Sequence, residues 1–187
     1  MIGKINISPV LSDVLTLVLD EAIRIAAVER INDILYAASS ASGESHGMCT
    51  TLVAAVVTGD TVVIVHVGDS KGFLILDGKI VFATTDHCIQ VPKFDSEAKR
   101  FLTQSLGAQQ RIVPSAVELR LEDGDISALC TDGLSDSLPL GEIIATSMAD
   151  DTAAASANLV TAVQDQGGTD GVSVIVARVS AKDTVNL

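Results

Sequence analysis

Three aspartates stand where runs of β-forming residues begin or end. Asp69 follows Thr61–Val67, Asp132 follows Ile126–Thr131, and Asp170 precedes Val172–Val179. If those runs are neighbouring strands of suitable direction, the three carboxylates meet at one rim of the fold. Carboxylates grouped without His or Cys are the ligand type that hard cations such as Mg²⁺ and Mn²⁺ prefer. The same residues also suit plain turns, because Asp beside Gly hydrogen-bonds its own turn backbone. On spacing alone the turn reading has the better odds.

Other reactive side chains carry less. Cys49, Cys88 and Cys130 are odd in number, widely spaced and free of CxxC pairing, which argues against a disulfide framework and a zinc site. Cys130 lies in the apolar run Ile126–Cys130 and reads as a small core residue. His46 falls in a small-residue loop and reads as exposed, whereas His66 falls within a strand and reads as a satisfied packing residue. Lys71 could steer an anion near Asp69, although a point-charge ammonium is a weak substitute for a bidentate guanidinium.

These residues need elements to position them. Ser12 to about Ala38 has helical periodicity, with Leu15, Val18, Leu19, Ala22, Ile23, Ala26 and Ala27 interleaved with charged residues and Ser12 as a cap. Ser39–Gly47 reads as a loop. Then the period changes. Thr51–Val57, Thr61–Val67, Gly72–Leu76 and Lys79–Ala83 are short β-rich runs, and Asp77-Gly78 between two of them is a hairpin signal. Together they predict an antiparallel meander. Phe94–Leu106 reads as a helix, and Ala116–Leu121 with Ile126–Thr131 as a strand pair. Helices are predicted from Pro139 to about Met148 and from Asp151 or Thr152 to Gln164, followed by a last apolar strand over Val172–Val179. Apolar residues on both faces of Val62–Val67 and Val172–Val179 predict interior strands. Hairpins with packed helices and no regular βαβ alternation indicate an α+β layered sandwich.

The chain has 187 residues, 48% of them hydrophobic, which suffices for one domain over 1–187 and excludes a disordered chain. The longest charge-free apolar stretches, such as His46–Gly59, fall short of a membrane span, and no secretory signal pattern is visible, so a cytoplasmic location is expected. A net charge of −12 makes nucleic acid a poor partner and suits divalent cations or a basic protein.

Gly47-Met48-Cys49-Thr50-Thr51-Leu52-Val53-Ala54-Ala55 resembles the GMGTTLVAA segment of metal-dependent protein serine/threonine phosphatases of type 2C. Val67-Gly68-Asp69-Ser70-Lys71 is similar to the VGDSR of that family, and Thr84-Thr85-Asp86-His87 to its T-x-DH. Leu102-Thr103-Gln104-Ser105-Leu106-Gly107 resembles its L-T-R-A-L-G. Glu122-Asp123-Gly124-Asp125 with Leu129-Cys130-Thr131-Asp132-Gly133-Leu134-Ser135-Asp136 is similar to its PGD…LCSDGLTD. Gly167-Gly168-Thr169-Asp170-Gly171-Val172-Ser173-Val174 resembles its GG-x-DN-x-T-V. The segments keep the family's order and near spacing from Gly47 to Val174.

The resemblance implies a type 2C phosphatase-like sandwich of two antiparallel β-sheets flanked by helices, truncated at the N-terminus, with a metal centre at one end. It maps Asp132 and Asp170 onto ligands of a two-metal core holding Mg²⁺ or Mn²⁺, and Asp69 onto an additional, weaker metal position. The implied chemistry is hydrolysis of a phosphoserine or phosphothreonine ester by metal-activated water, in a short bacterial regulatory phosphatase. His87 is implied to hold a turn.

Departures temper this. The family's early R-x-x-N-(E/Q)-D and DG-x-G-G-H segments have no match before Gly47, Gly171 replaces an Asn, and Cys49 replaces a Gly. Low intrinsic activity is therefore expected, and the alternative is a pseudophosphatase that binds a phosphoprotein or regulatory protein without turnover. Absent first strands would leave a sheet edge open, which predicts a homodimer or a partner covering that edge, with Ile2–Ile7 a candidate replacement strand.

Overall fold

The computed structural model describes residues 21–41, 43, 45–93 and 96–180. Both the Ser12 cap and the candidate strand Ile2–Ile7 lie outside the described residues.

Two antiparallel sheets and their helices build four layers. The first sheet holds β1 (Leu52–Thr58), β2 (Thr61–Val67) and β7 (Ser115–Arg120) in the order β1-β2-β7. The second holds β3 (Lys71–Leu76), β4 (Lys79–Ala83), β8 (Ile126–Cys130) and β9 (Val174–Arg178) in the order β4-β3-β8-β9. Helix α1 (Glu21–Ser40) covers the outer face of the first sheet. Helices α2 (Asp132–Ser135), α3 (Leu140–Ser147) and α4 (Thr152–Asp165) cover the second.

Strand β2 shows why the layers form. Val62 and Ile64 face the other sheet and pack with its Leu74 and with Leu121 just after β7, while Val63, Val65 and Val67 face Val28, Leu106 and Ile112. A strand covered on both sides needs apolar residues at consecutive positions, and each buried Val or Ile contributes about 1.5–3 kcal/mol over exposure. On the far side Leu134, Ile143, Leu159 and Val163 pack onto Phe73, Ile75, Ala128 and Val176. Asn32 anchors α1 by donating to the Gln109 and Gln110 carbonyls (3.1 and 3.3 Å) and accepting from the Gly107 N–H (3.0 Å). Asp151 caps α4 by accepting from the Ala153 and Ala154 N–H groups (2.9 and 3.1 Å).

Three expectations need correction. The meander divides, because β2 and β3 belong to different sheets and the chain between them crosses from one layer to the other. Asp77-Gly78 does close the β3–β4 hairpin, with φ of 49° and 72° at the two residues, the left-handed geometry such a turn requires. Among the described residues the final strand β9 is an edge strand, paired with β8 alone and exposing Ile175, rather than an interior one. Its apolar residues are explained by α4 on one face.

The third correction matters most for the site. Phe94–Leu106 is not a helix: Ser96–Leu102 forms β6, antiparallel to β5 (Cys88–Lys93), in a two-stranded sheet of its own. Glu97, Ala98, Lys99 and Arg100 favour helix intrinsically. Pairing with β5 overrides that weak preference.

Candidate functional site

The crossing between the sheets places Asp69. In Val67-Gly68-Asp69-Ser70, Gly68 adopts φ 105°, and a Cβ there would overlap the Thr51 side chain. The segment Thr84–His87 straps this link. Thr84 N–H donates to the Gly72 carbonyl (2.9 Å) while its hydroxyl accepts from Gly72 N–H (3.0 Å). His87 N–H donates to the Gly68 carbonyl (2.9 Å), and its Nδ1 accepts from Gly68 N–H (3.3 Å). With Nδ1 an acceptor, the ring proton sits on Nε2 and points to Ser115 Oγ at 2.9 Å. Burial lowers the His87 pKa, the neighbouring His66 lowers it further, and Asp86 opposes both.

Asp132 opens α2 directly after β8, and its Oδ1 accepts from Gly133 N–H at 3.0 Å. The Asp170 loop lies against it, pinned by Thr131, whose hydroxyl donates to the Gly171 carbonyl (3.0 Å) and accepts from Ser173 N–H (3.1 Å). The approach is close enough that a Cβ at Gly133 would stand 2.6 Å from the Gly171 oxygen. Only glycine fits there.

Asp69 and Asp132 do converge, and the group between them is an arginine. Arg100 Nη2 lies 3.2 Å from Asp69 Oδ2, 3.2 Å from Asp132 Oδ2 and 2.9 Å from Asp136 Oδ2. Its Nη1 donates to Asp136 Oδ1 at 3.1 Å. Asp69 is buried, Asp132 partly so, and Asp136 exposed. Burial raises the Asp69 pKa, the Asp132 charge adds to the rise, and the Arg100 charge counters it.

Asp170 is not among the carboxylates that meet Arg100. It is exposed, and its Oδ1 accepts from Gly171 N–H at 2.7 Å. Lys71, expected to steer an anion, is paired with the Asp86 carboxylate. His46 is exposed, His66 is buried with Nε2 2.9 Å from the Thr85 carbonyl, and burial pushes the Cys130 thiol up to about 12.

The donor chemistry suits a hard divalent ion, yet the arrangement does not fit one. Among the described residues no three His, Cys, Asp or Glu side chains are grouped to hold a metal ion, and the converging oxygens are taken by Arg100. Arg100 and Asp136 were not singled out from sequence. Arg100 was hidden by the helical reading of its strand. Asp136 lies in a quoted motif, four residues after Asp132, a spacing that puts both on one side of a helical turn.

An apolar cleft of about 1100 Å³ adjoins the cluster, lined among others by Thr51, Val53, Ser70, Thr131, Ser156 and Val160. It runs beside β1 and β9, whose outer edges carry no partner strand among the described residues. The sequence expectation of a pairing edge falls there. No described helix is long and apolar enough to cross a membrane.

Comparison with known proteins agrees with this fold. The Protein phosphatase 2C family model matches residues 7–167. The serine/threonine protein phosphatase PstP of Mycobacterium tuberculosis is 29% identical over 164 residues, 82% of this chain and 32% of that protein. The serine/threonine phosphatase stp of Listeria monocytogenes is 27% identical over 161 residues, 80% of this chain and 64% of its own length. A crystal structure of the PstP catalytic domain in complex with two manganese ions superposes with a TM-score of 0.71 at 26% identity, covering 86% of this chain and 71% of the other. The chain thus spans between about a third and just under two thirds of these curated relatives.

Proposed function

Because the chain belongs to the protein phosphatase 2C family, we propose that it is a divergent serine/threonine protein phosphatase of low intrinsic activity, dependent on Mg²⁺ or Mn²⁺ and directed at phosphoproteins. The observation that carries this reading is the convergence of Asp69 and Asp132 on one point at the rim of the sandwich. Strands of two different sheets deliver them there, and two carboxylates converge at a protein rim only against a compensating charge. Asp170, held one loop away against Gly133, is the further oxygen donor this reading assigns to the metal.

Low activity follows from the charge already present. Arg100 neutralises the acids that would have to receive a divalent ion, and the sequence before Gly47 carries neither the R-x-x-N-x-D nor the DGxxG segment. The same arginine favours the second reading, a pseudophosphatase scaffold that binds a phosphoprotein or regulatory protein.

The two separate in one experiment. Mn²⁺ is titrated calorimetrically into the chain, and phosphate release from a phosphothreonine peptide is measured at millimolar Mn²⁺. Slow turnover that falls to background in Asp132→Asn supports the enzyme. Turnover unchanged by that substitution, or no turnover at any Mn²⁺ concentration, removes the hydrolase proposal and leaves the scaffold.

A further inference from the structure

Arg100 Nη2 is a single atom shared by oxygens of three separate carboxylates, all within 3.2 Å. That is how an ion is held, and it differs from an ordinary pair in which one fork meets one acid. A divalent cation would need oxygens at about 2.0–2.6 Å from one centre. The guanidinium and the metal therefore compete for the same oxygens and cannot both have them.

The element that carries Arg100 is also unusual. Strands β5 and β6 pair with each other and with no strand of either main sheet. Ile89, Val91, Phe101 and Leu102 on this hairpin are exposed, so little apolar burial among its described residues holds it down. Moving it breaks no ladder bond of the sandwich. The acids, by contrast, sit on the β2–β3 crossing and on α2, both fixed by the core.

We propose that Arg100 is a built-in counter-ion: it holds Asp69, Asp132 and Asp136 in place of a divalent cation, so that the cluster as folded does not fit Mg²⁺ or Mn²⁺. The proposal rests on the family reading only for the identity of the competing ion. A guanidinium stays charged at any working pH, so titrating the arginine does not free the acids.

The test measures Mn²⁺ affinity by calorimetry, and the rise in melting temperature on adding Mn²⁺, for the full chain and its Arg100→Met variant. Arg120→Met, which breaks the exposed pair with Asp60, is the control. We expect Arg100→Met to melt lower than the parent without metal, to bind Mn²⁺ at least tenfold more tightly, and to recover its melting temperature when Mn²⁺ is added. Arg100→Lys keeps the charge and should stay close to the parent. Arg100→Gln, which keeps most of the stem, serves if the Met variant fails to fold. Equal or weaker Mn²⁺ affinity in the uncharged variants overturns the proposal. Tight Mn²⁺ binding by Arg100→Met with no phosphate release upholds the counter-ion and removes the hydrolase reading. Phosphate release by the parent with unchanged affinity in the variant does the reverse.

Discussion

The rim of the sandwich and the β5–β6 hairpin face each other across one ion-pair cluster and are built by opposite means. The rim positions its acids from strand ends and short turns anchored in a continuous core: Leu134 and Val174 stand near Asp132 and Asp170, and Val67 near Asp69, all buried. The hairpin positions its arginine from a two-stranded ribbon with exposed apolar side chains, a form that is marginal without further packing. Anions are thus fixed while their cation is carried on a separable part. A charge cluster so divided has its cation on the part whose described apolar side chains are the least buried.

That contrast can be broken at its strong side first. Leu159→Ala empties a fully buried position beneath the second sheet and should lower the unfolding free energy by about 2–5 kcal/mol in a denaturant titration. A loss under about 0.5 kcal/mol would mean that the helices over that sheet are not what fixes the rim. The next effect lies at the strap. The His87 pKa is lowered in the folded state, so its contribution is full above the ordinary value of 6.5 and is lost as pH falls through the lower folded pKa. Melting temperature should therefore drop on acidification below pH 6.5, and less so in His87→Gln, where no imidazole titrates beside Gly68. Identical pH profiles would detach the strap from the comparison. The smallest change is expected on the hairpin, where Ile89→Thr should alter stability by no more than about 0.5 kcal/mol. A cost of several kcal/mol would show the ribbon to be as firmly seated as the rim.

Legibility in the sequence followed the range of the interactions involved. Thr61–Val67 was readable as a strand because its unbroken apolar run states how both faces are covered. Asp77-Gly78 was readable as a hairpin because only a few residues, at their particular φ, decide it. The Asp69 and Asp132 positions were found through motif likeness, since their turn chemistry alone would have explained them. The second covered face of Val172–Val179 was misread. An apolar run records that something packs on it, and a helix leaves the same record as a neighbouring strand.

Arg100 was the hardest to see. Its neighbours favour a helix, and nothing local says that the segment folds back on Cys88–Lys93 or that its side chain ends among acids 31, 32 and 36 positions away in sequence, at Asp69, Asp132 and Asp136. The sequence by itself settled which side chains are available: hard oxygen donors at strand ends, a both-faces-buried strand, and a family of known architecture. Which charge those donors hold was decided only in three dimensions. A Coulomb contact depends on separation through space, and chain order carries no measure of that separation once the backbone has crossed between sheets.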